Sequence, residues 1–237
     1  DVIFGTHLWA SEPVGKIQYR VGPVMAAADR FEIKVQGSGG HGAQPHKTKD
    51  AVVTASQLVI NLQQIVSRYV NPIEPAVISV GKFVAENAFN VIADTAALEG
   101  TVRTFSDEVR DQIERDIDSV AKATCDMNGS SYEYTFHRGY PAVVNHKEET
   151  EYLVQVASEL SDVVLVEETS PHMGGEDFAY YLCHVKGSFF FTGAKPEGVE
   201  TVYPHHHPKF DINEKGMLVA AKTLAAATVN VNVPSKE

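Results

Sequence analysis

The chain has 237 residues, 43% of them hydrophobic, which is enough for one large domain or two small ones with packed cores. Acidic residues outnumber basic residues by 31 to 20, and the formal net charge is −11. This charge argues against nucleic acid or an anionic membrane as a partner and favours a small molecule or a protein. The sequence shows no apolar run of membrane-spanning length and no signal-peptide pattern at its start, which favours a cytoplasmic location.

The cysteines and the first residues add two expectations. Cys125 and Cys183 are spaced neither as metal ligands nor as a disulfide framework, so we predict two reduced thiols. Asp1 stands where an initiator methionine is expected, and an apolar run follows it directly and predicts a strand that ends near His7. We therefore expect that the chain has lost its beginning.

The first half of the chain predicts a small sandwich of strands and helices. Alternating apolar and polar residues indicate strands, and apolar residues at helical spacing indicate helices. Ser106 is placed to cap the second helix. The predicted order is strand, helix, strand, strand, helix, strand, at residues 30–36, 50–69, 77–83, 97–104, 107–120 and 132–136. This order is typical of the split βαβ arrangement of a ferredoxin-like α+β domain.

The second half predicts a different architecture. Helices and strands alternate there, at residues 148–160, 163–166, after Glu176, at 189–192 and from Glu214. Such alternation indicates an α/β domain with a parallel sheet, to which the first strand of the chain also belongs. The predicted organisation is therefore a ferredoxin-like domain at 25–138 inserted into an α/β domain formed by 1–24 and 139–237. The tail after Asn232 is expected to be frayed.

Histidines are concentrated in four places along the chain. They are His7, the pair His41 and His46, His172, and the run 205–207. Imidazole is the commonest metal ligand in proteins, although each of these residues could also be an ordinary packed or surface side chain. The position of His7 at the end of a strand in an α/β sheet favours a function, because ligands bind in the crevice at that edge. The glycine-rich loop around His41 lacks the lysine and hydroxyl ending of a P-loop, which argues against nucleotide binding.

Six short strings, in order, cover nearly the whole chain. They are Gly-Thr-His-Leu-Trp-Ala-Ser-Glu-Pro-Val-Gly, Gly-Gly-His-Gly-Ala-Gln-Pro-His, Asn-Val-Ile-Ala, Gly-Thr-Val-Arg-Thr-Phe, Gly-Gly-Glu-Asp-Phe-Ala-Tyr-Tyr and His-His-Pro-Lys-Phe-Asp-Ile-Asn-Glu. Together they resemble the aminoacylase, hippurate-hydrolase and indoleacetyl-amino-acid-hydrolase family of two-metal amidohydrolases, of the zinc carboxypeptidase–aminoacylase type. The resemblance implies cleavage of N-acyl amino acids to a carboxylic acid and a free amino acid. It also implies that the inserted domain is a lid that forms a homodimer.

The resemblance assigns metal ligands residue by residue. It makes His7 a ligand and His206 another, with His207 as the nearest competitor of His206. It places Glu176 beside the metals as a catalytic residue at a helix start, where an acidic residue is also favourable for purely structural reasons. The implied cofactor is a pair of divalent ions, and zinc, manganese, cobalt and nickel all suit such ligands.

Other assignments fall in the lid. His41 resembles the family's lid histidine, which reaches the neighbouring subunit's site and stabilises the oxyanion of the tetrahedral intermediate. Asn90, His46 and Arg103 match substrate-binding residues, and the planar guanidinium of Arg103 suits the free carboxylate of the substrate.

The chain also departs from the family pattern. Ala10 and Ala93 stand where the family often has proline, which is a minor difference. The family's His-Ala-Cys-Gly-His-Asp stretch and Glu-Glu pair, which supply the other ligands and the general base, do not occur in the sequence. We therefore expect this chain alone to be inactive.

Two alternatives stand beside the amidohydrolase hypothesis. A ferredoxin-like domain also occurs in many unrelated small-molecule-binding and dimerisation modules, in which the histidines would be incidental. A histidine-rich metal-storage protein would need closely spaced ligands within one segment, and the scatter of the histidines along the chain disfavours it.

Overall fold

The computed structural model describes residues 1–229 and 231, so the predicted frayed tail after Asn232 lies outside the described residues. Within them, no helix is long and apolar enough to cross a membrane. The strands are β1 (Val2–Trp9), β2 (Lys16–Tyr19), β3 (Gly22–Met25), β4 (Ala27–Gln36), β5 (Gly40–His41), β6 (Ala76–Val84), β7 (Val91–Ile92), β8 (Thr95–Thr104), β9 (Ser131–Tyr140), β10 (Val143–Asn145), β11 (Leu165–Glu168) and β12 (Lys186–Gly193). The helices are α1 (Ala51–Gln64), α2 (Asp107–Asn128), α3 (Lys147–Ser158), α4 (Phe178–Leu182) and α5 (Lys215–Val229).

The chain divides into two compact units. Unit 2 contains Ala26–Ala142 and Met173–Gly175, and unit 1 contains Asp1–Met25, Val143–His172 and the residues from Glu176 onward. Unit 1 is therefore assembled from three segments. The first two of these segments pair with each other as the antiparallel strands β3 and β10, in which the last residue of the first segment lies opposite the first residue of the second.

The four-stranded sheet of unit 1 is mixed, in the order β1, β12, β2, β11. β1 is parallel to β12 and β11 is parallel to β2, but β12 and β2 are antiparallel. The predicted all-parallel sheet was thus wrong at β2, a strand that the sequence pattern did not reveal. Only residues 10–15 connect β1 to β2, and this is too short for the crossover that parallel strands in one sheet require.

The position of β11 also differs from the prediction. A strand was expected at 163–166, whereas β11 begins at Leu165. The backbone N–H of Val163 instead donates to the carbonyl oxygen of Leu160 at 3.1 Å, which closes a turn after α3. The N–H of Val164 donates to the carbonyl oxygen of Gly15 at 2.8 Å. Val164 therefore binds the residue just before β2, and the parallel pairing of β11 with β2 begins after it.

β12 is buried on both faces and organises the core of unit 1. Phe190 is fully buried with Leu153 on the face that α3 and α5 cover. Phe189 and Phe191 point to the opposite face and pack with Leu182 of α4. Phe189 and Phe191 therefore form an apolar surface beneath the side chains of β1 and of the segment before α4.

Unit 2 is an antiparallel sheet in the order β6, β8, β4, β9, with α1 and α2 packed against one face. Its main elements follow the predicted order of strand, helix, strand, strand, helix, strand. Phe31, Ile33 and Val35 of β4 are buried, as the alternation predicts. Ser106 caps α2 by accepting the N–H of Val109 at 3.3 Å, which confirms the predicted cap. The predicted first helix is α1 followed by one π turn, Ile65–Tyr69.

The other face of this sheet is polar and carries ion pairs. Arg30 pairs with Glu32 and with Glu99 at 2.8 Å each, and Lys82 pairs with Glu99 at 2.6 Å. These side chains are 30 to 59% exposed, so water screens each pair and its contribution to stability is small.

A buried ion pair joins β4 to α2. The carboxylate of Asp29 accepts hydrogen bonds from Nε of Arg110 at 2.9 Å, from Nη2 of Arg110, and from the N–H of Gly139 at 2.9 Å. Nη2 of Arg110 also donates to the carbonyl oxygen of Gly139 at 3.1 Å. The register between β4 and β9 shifts at Asp29. Because buried charges require a countercharge and hydrogen bonds, this cluster holds β4, β9 and α2 in one arrangement.

Candidate functional site

Unit 1 brings two of the predicted site residues together. His7 lies in β1 opposite Phe191 of β12, and its ring is edge-on to that of Phe189 with centroids 5.1 Å apart. Its Nε2 atom is 2.5 Å from Oε2 of Glu176, within hydrogen-bonding distance of the carboxylate. The side chain of His7 is 44% exposed and that of Glu176 is 15% exposed, so solvent reaches the pair from the imidazole side.

Glu176 lies before α4, not in its first turn, because the helix begins at Phe178 and Asp177 is its N-cap residue. Oε1 of Glu176 accepts the N–H of Phe178 at 3.1 Å. Burial raises the pKa of Glu176, but hydrogen bonds from Phe178, Asp177 and His7 outweigh burial and lower the pKa. The hydrogen bond with Glu176 raises the pKa of Asp177. The lowered pKa of Glu176 favours its ionised form, which accepts the hydrogen bond of His7.

A close approach between α4 and β1 makes this contact possible. A Cβ atom on Gly5 would lie 2.7 Å from the ring of Phe178, well inside van der Waals contact. Glycine at this position lets the start of α4, and with it Glu176, approach the strand that carries His7.

The loop before α5 holds three consecutive histidines in three different environments. Nε2 of His205 lies 2.8 Å from the carbonyl oxygen of Leu8, which ties the loop to β1. His206 is exposed and has a φ angle of 69°, a left-handed conformation that is uncommon for residues other than glycine and concentrates at functional sites. The ring of His207 stacks on Tyr203 with centroids 4.4 Å apart. Among the described residues, no hydrogen bond, ion pair or ring contact joins His206 to the pair described above.

Trp9 lies between two histidines that received no role in the sequence analysis. The ring centroids of His172 and His205 are each 4.9 Å from that of Trp9. Nε2 of His172 is buried and has no hydrogen-bond partner within the described part of the chain. Burial lowers the pKa of His172, although the charge of Glu12 opposes this shift, and the ring is therefore neutral at neutral pH. These rings pack as apolar surfaces that hold the histidine loop on β1.

Unit 2 brings His41 and Asn90 together through the backbone. β5 pairs with β7, and the N–H of Gly42 donates to the carbonyl oxygen of Asn90 at 2.8 Å. A Cβ atom at residue 42 would lie 2.8 Å from that oxygen, so the approach requires glycine. Nδ1 of His41 accepts the N–H of Ala43 at 3.0 Å. This bond assigns the neutral tautomer that carries its proton on Nε2, which leaves an exposed N–H donor.

The other two residues predicted for unit 2 have separate positions. His46 is exposed in a short 3₁₀ turn, Pro45–Lys47. Arg103 lies on the polar face of β8, where Nη1 donates to Oγ1 of Thr101 and to the carbonyl oxygen of Val102 at 2.9 Å. Within residues 1–229 and 231, no carboxylate lies at ion-pair distance from Arg103. Its charge is therefore available for an anion.

The donors of unit 1 suit a divalent ion in kind but are too few in number. Two ligands of one tetrahedral zinc ion lie about 3.4 Å apart, as follows from metal–ligand distances of about 2.1 Å. At 2.5 Å, His7 and Glu176 form a hydrogen-bonded pair and do not enclose a shared ion in this conformation. No cluster of three or more His, Cys, Asp or Glu residues able to hold a metal ion occurs in the described part of the chain.

Sequence reasoning missed three residues that contact predicted site residues or neighbour them. Asp177 bonds to Glu176, and His205 fixes the loop beside His206. Thr101 accepts a hydrogen bond from Arg103, and strand alternation could have indicated this contact because residues two apart share a face.

The mixed sheet with helices on its faces and a second α+β unit place the chain among mixed α/β proteins. The chain belongs to peptidase family M20/M25/M40, whose sequence profile matches residues 1–230. This assignment confirms the resemblance that the six strings indicated, and it places the chain in a family of hydrolases.

Three relatives are informative. YhaA of Bacillus subtilis (strain 168) is 64% identical over 229 residues, which cover 97% of this chain and 58% of that protein. N-acetyl-L-cysteine deacetylase of the same organism is 38% identical over 221 residues, which cover 93% and 51%. The crystal structure of Bacillus subtilis YXEP, described as a dinuclear metal binding peptidase from the M20 family, matches with a TM-score of 0.80 and 31% identity over 96% of this chain and 56% of that one. The chain thus spans little more than half the length of these relatives.

Proposed function

We propose that this chain is part of a metal-dependent amidohydrolase that cleaves N-acyl amino acids to a carboxylic acid and a free amino acid. The observation that carries the proposal is the match to peptidase family M20/M25/M40 over residues 1–230. A relative at 38% identity is named for the deacetylation of an N-acyl amino acid, N-acetyl-L-cysteine. Residues 1–24 and 139–237 would belong to the catalytic domain, and residues 25–138 would form the inserted ferredoxin-like lid.

The complete enzyme would hold two divalent ions, of zinc, manganese, cobalt or nickel. The dinuclear site named for YXEP supports two ions. His7 and His206 would be ligands, and the remaining ligands and the general base would come from residues outside this chain, because its described donors are too few. When bound, ions of this kind ionise a water molecule near neutral pH. Glu176 would orient the imidazole of His7, as carboxylates commonly do for ligating histidines.

The residues of unit 2 would bind and polarise the substrate. Arg103 would hold the free carboxylate of the N-acyl amino acid, since its guanidinium is without an ion-pair partner in the described part of the chain. His46 and Asn90 would complete the binding of the substrate. Nε2–H of His41 would donate a hydrogen bond to the oxyanion of the tetrahedral intermediate, which the tautomer assigned from the hydrogen bond of Ala43 permits.

The activity is tested by comparing this chain with the complete protein. The complete protein is expected to release free amino acid from N-acyl amino acids when a divalent ion is added, as measured with an amine-reactive assay. The 237-residue chain is expected to show no metal-dependent turnover, because two histidine ligands without the base cannot activate a water molecule. Absence of turnover in the complete protein would contradict the proposed activity, and turnover by the pure chain would contradict the incomplete site.

The lid is also proposed to form a homodimer. Exposed apolar residues lie along the outer face of α1, where Val53 is 48% and Ile60 is 70% exposed, one heptad apart. α1 packs mainly on β8, the neighbour of β6, and β6 is an edge strand on which Phe83 is 41% exposed. The outer face of α1 offers apolar side chains and the edge of β6 offers unpaired backbone groups, and both features suit pairing with a second copy.

An Ile60→Lys replacement is expected to raise the dimer dissociation constant at least tenfold, on the order of the effect of placing an unpaired charge in an interface. Sedimentation equilibrium of the 237-residue chain measures this constant. Met127→Lys is the matched control, because Met127 is 67% exposed on the other helix of the unit and is expected to leave the constant unchanged. Equal constants for the two variants would place the dimer interface elsewhere.

A further inference from the structure

The guanidinium of Arg103 is held by its own strand in a way that leaves one edge free. Nη1 carries two hydrogens, and the structure gives it two acceptors, Oγ1 of Thr101 and the carbonyl oxygen of Val102 at 2.9 Å. In the described residues, Nε and Nη2 have no hydrogen-bond partner. The three remaining N–H groups therefore include the parallel pair on the Nε–Nη2 edge, which is the edge that binds a carboxylate through two bonds.

The role of Thr101 in this arrangement follows from its single hydroxyl hydrogen. Its Oγ1 lies 2.8 Å from the carbonyl oxygen of Asp29, which can only accept, so the hydroxyl hydrogen must point there. The lone pairs of Oγ1 consequently face Arg103, whose Nη1 can only donate. The direction of both bonds is thus fixed by chemistry, and the hydroxyl acts as an oriented acceptor for the guanidinium.

The anchor of this acceptor is rigid. Asp29 is 3% exposed, and its carboxylate is bound by Arg110 and by the backbone N–H of Gly139. The carbonyl oxygen that orients Thr101 therefore belongs to a residue of β4 whose side chain is held by both α2 and β9. The buried ion pair therefore helps to fix the position of the Thr101 side chain on the polar face of the sheet.

We propose that Thr101 is a positioning residue for substrate recognition: by saturating Nη1 of Arg103, it presents the Nε–Nη2 edge to the carboxylate of the N-acyl amino acid. The inference rests on the proposed function, in which Arg103 holds that carboxylate. It predicts that Thr101 affects the binding of acidic substrates and leaves the chemical step alone. If Thr101 merely favoured strand formation, its replacement would not act selectively on acidic substrates, nor on substrate binding as opposed to the chemical step.

The kinetic test uses the complete enzyme with an N-acyl amino acid and its C-terminal amide. Thr101→Val keeps the β-branched shape but removes the acceptor, and is expected to raise KM for the acid by about threefold to tenfold, the range for loss of one ordinary hydrogen bond, because Thr101 acts on the substrate only through Arg103. The value of kcat, and KM for the amide, are expected to change less than about twofold. Thr101→Ser restores the hydroxyl and is expected to restore KM for the acid.

Two further variants make the outcomes distinguishable. Thr95→Val is the matched control, because Thr95 lies on the same face of the same strand and is expected to leave the acid-to-amide preference intact. Arg103→Ala is expected to abolish that preference. If Arg103→Ala does so and Thr101→Val does not, the positioning role is overturned and the carboxylate clamp stands. If Arg103→Ala leaves the preference unchanged, the clamp itself is wrong and the positioning role falls with it.

A second measurement needs no activity. In the 237-residue chain with labelled arginine, NMR of the guanidinium groups is expected to show slower rotation about the Nε–Cζ bond for Arg103 than for Arg115, which is exposed on α2. Thr101→Val should accelerate the rotation for Arg103, and Thr101→Ser should not. An unchanged rate in the valine variant would overturn the proposal.

Discussion

Replacing Asp29 with alanine is expected to lower the free energy of unfolding of unit 2 by about 3–5 kcal/mol, the typical loss when one partner of a buried ion pair is removed. The carboxylate is fully buried, and its loss leaves the guanidinium of Arg110, which is 7% exposed, with only the 83% exposed carboxylate of Asp107 at 4.0 Å as a countercharge. Hydrogen exchange of the backbone amides in α2 and β9 measures the effect, because it reports the opening of this unit separately from the other.

Asp126→Ala is the matched control for this prediction. Asp126 pairs with Lys122 at 2.5 Å on the exposed side of α2, so water screens the pair and little change is expected. Combining Asp29→Leu with Arg110→Met should recover much of the lost stability, since both buried charges are then removed. A loss in Asp29→Ala no larger than in Asp126→Ala would show that the buried pair does not stabilise the unit.

The second large effect is expected at the histidine–carboxylate pair. In the complete enzyme, Glu176→Ala should lower metal affinity or kcat/KM about tenfold to hundredfold, the usual consequence of removing the carboxylate that orients a ligating imidazole. His7→Ala should lower both further, because it removes the proposed ligand itself. Calorimetric titration with zinc or manganese and steady-state kinetics across metal concentrations provide the measurements.

His184→Ala is a suitable control, since His184 is an exposed histidine of the same unit and is expected to change neither quantity. Metal affinity equal to that of the unaltered enzyme in both His7→Ala and Glu176→Ala would remove the pair from the metal site. Loss in Glu176→Ala without loss in His7→Ala would instead make the carboxylate a ligand in its own right.

Periodicity was sufficient to predict the long elements of both units. Strands such as β4 and helices such as α2 bury one face, and this burial leaves a pattern that spans several turns or residues. β2, β3 and β10 have only three or four residues each, too few for a period to be visible. Pro23 within β3 even argues against a strand. These strands exist because distant segments pair with them, and that information is not local.

Motifs in the sequence indicated which residues belong to the candidate site, but they did not indicate its geometry. His7 and Glu176 were each predicted to be functional, but they are 169 positions apart and meet only because α4 packs on β1. The left-handed backbone of His206 arises from its loop, and residue type alone does not reveal it, although histidine adopts this conformation more often than most residues. By contrast, the bond between Thr101 and Arg103 follows from strand alternation, and the sequence contained enough information to predict it.

The pairing of β4 with β9, the first and last long strands of unit 2 along the chain, predicts an order of folding. Ala28 lies opposite Tyr140 across β4 and β9, so the stretch between them holds its own two ends together once it has folded. Because domains generally fold as units, we expect it to fold first. Met25 and Val143, the partners that join β3 to β10, lie three residues outside those ends, one before Ala28 and the other after Tyr140. The entropy of closing so long a loop is then already lost before β3 and β10 meet. We therefore expect unit 1 to assemble last, from segments that unit 2 has already brought within reach of each other.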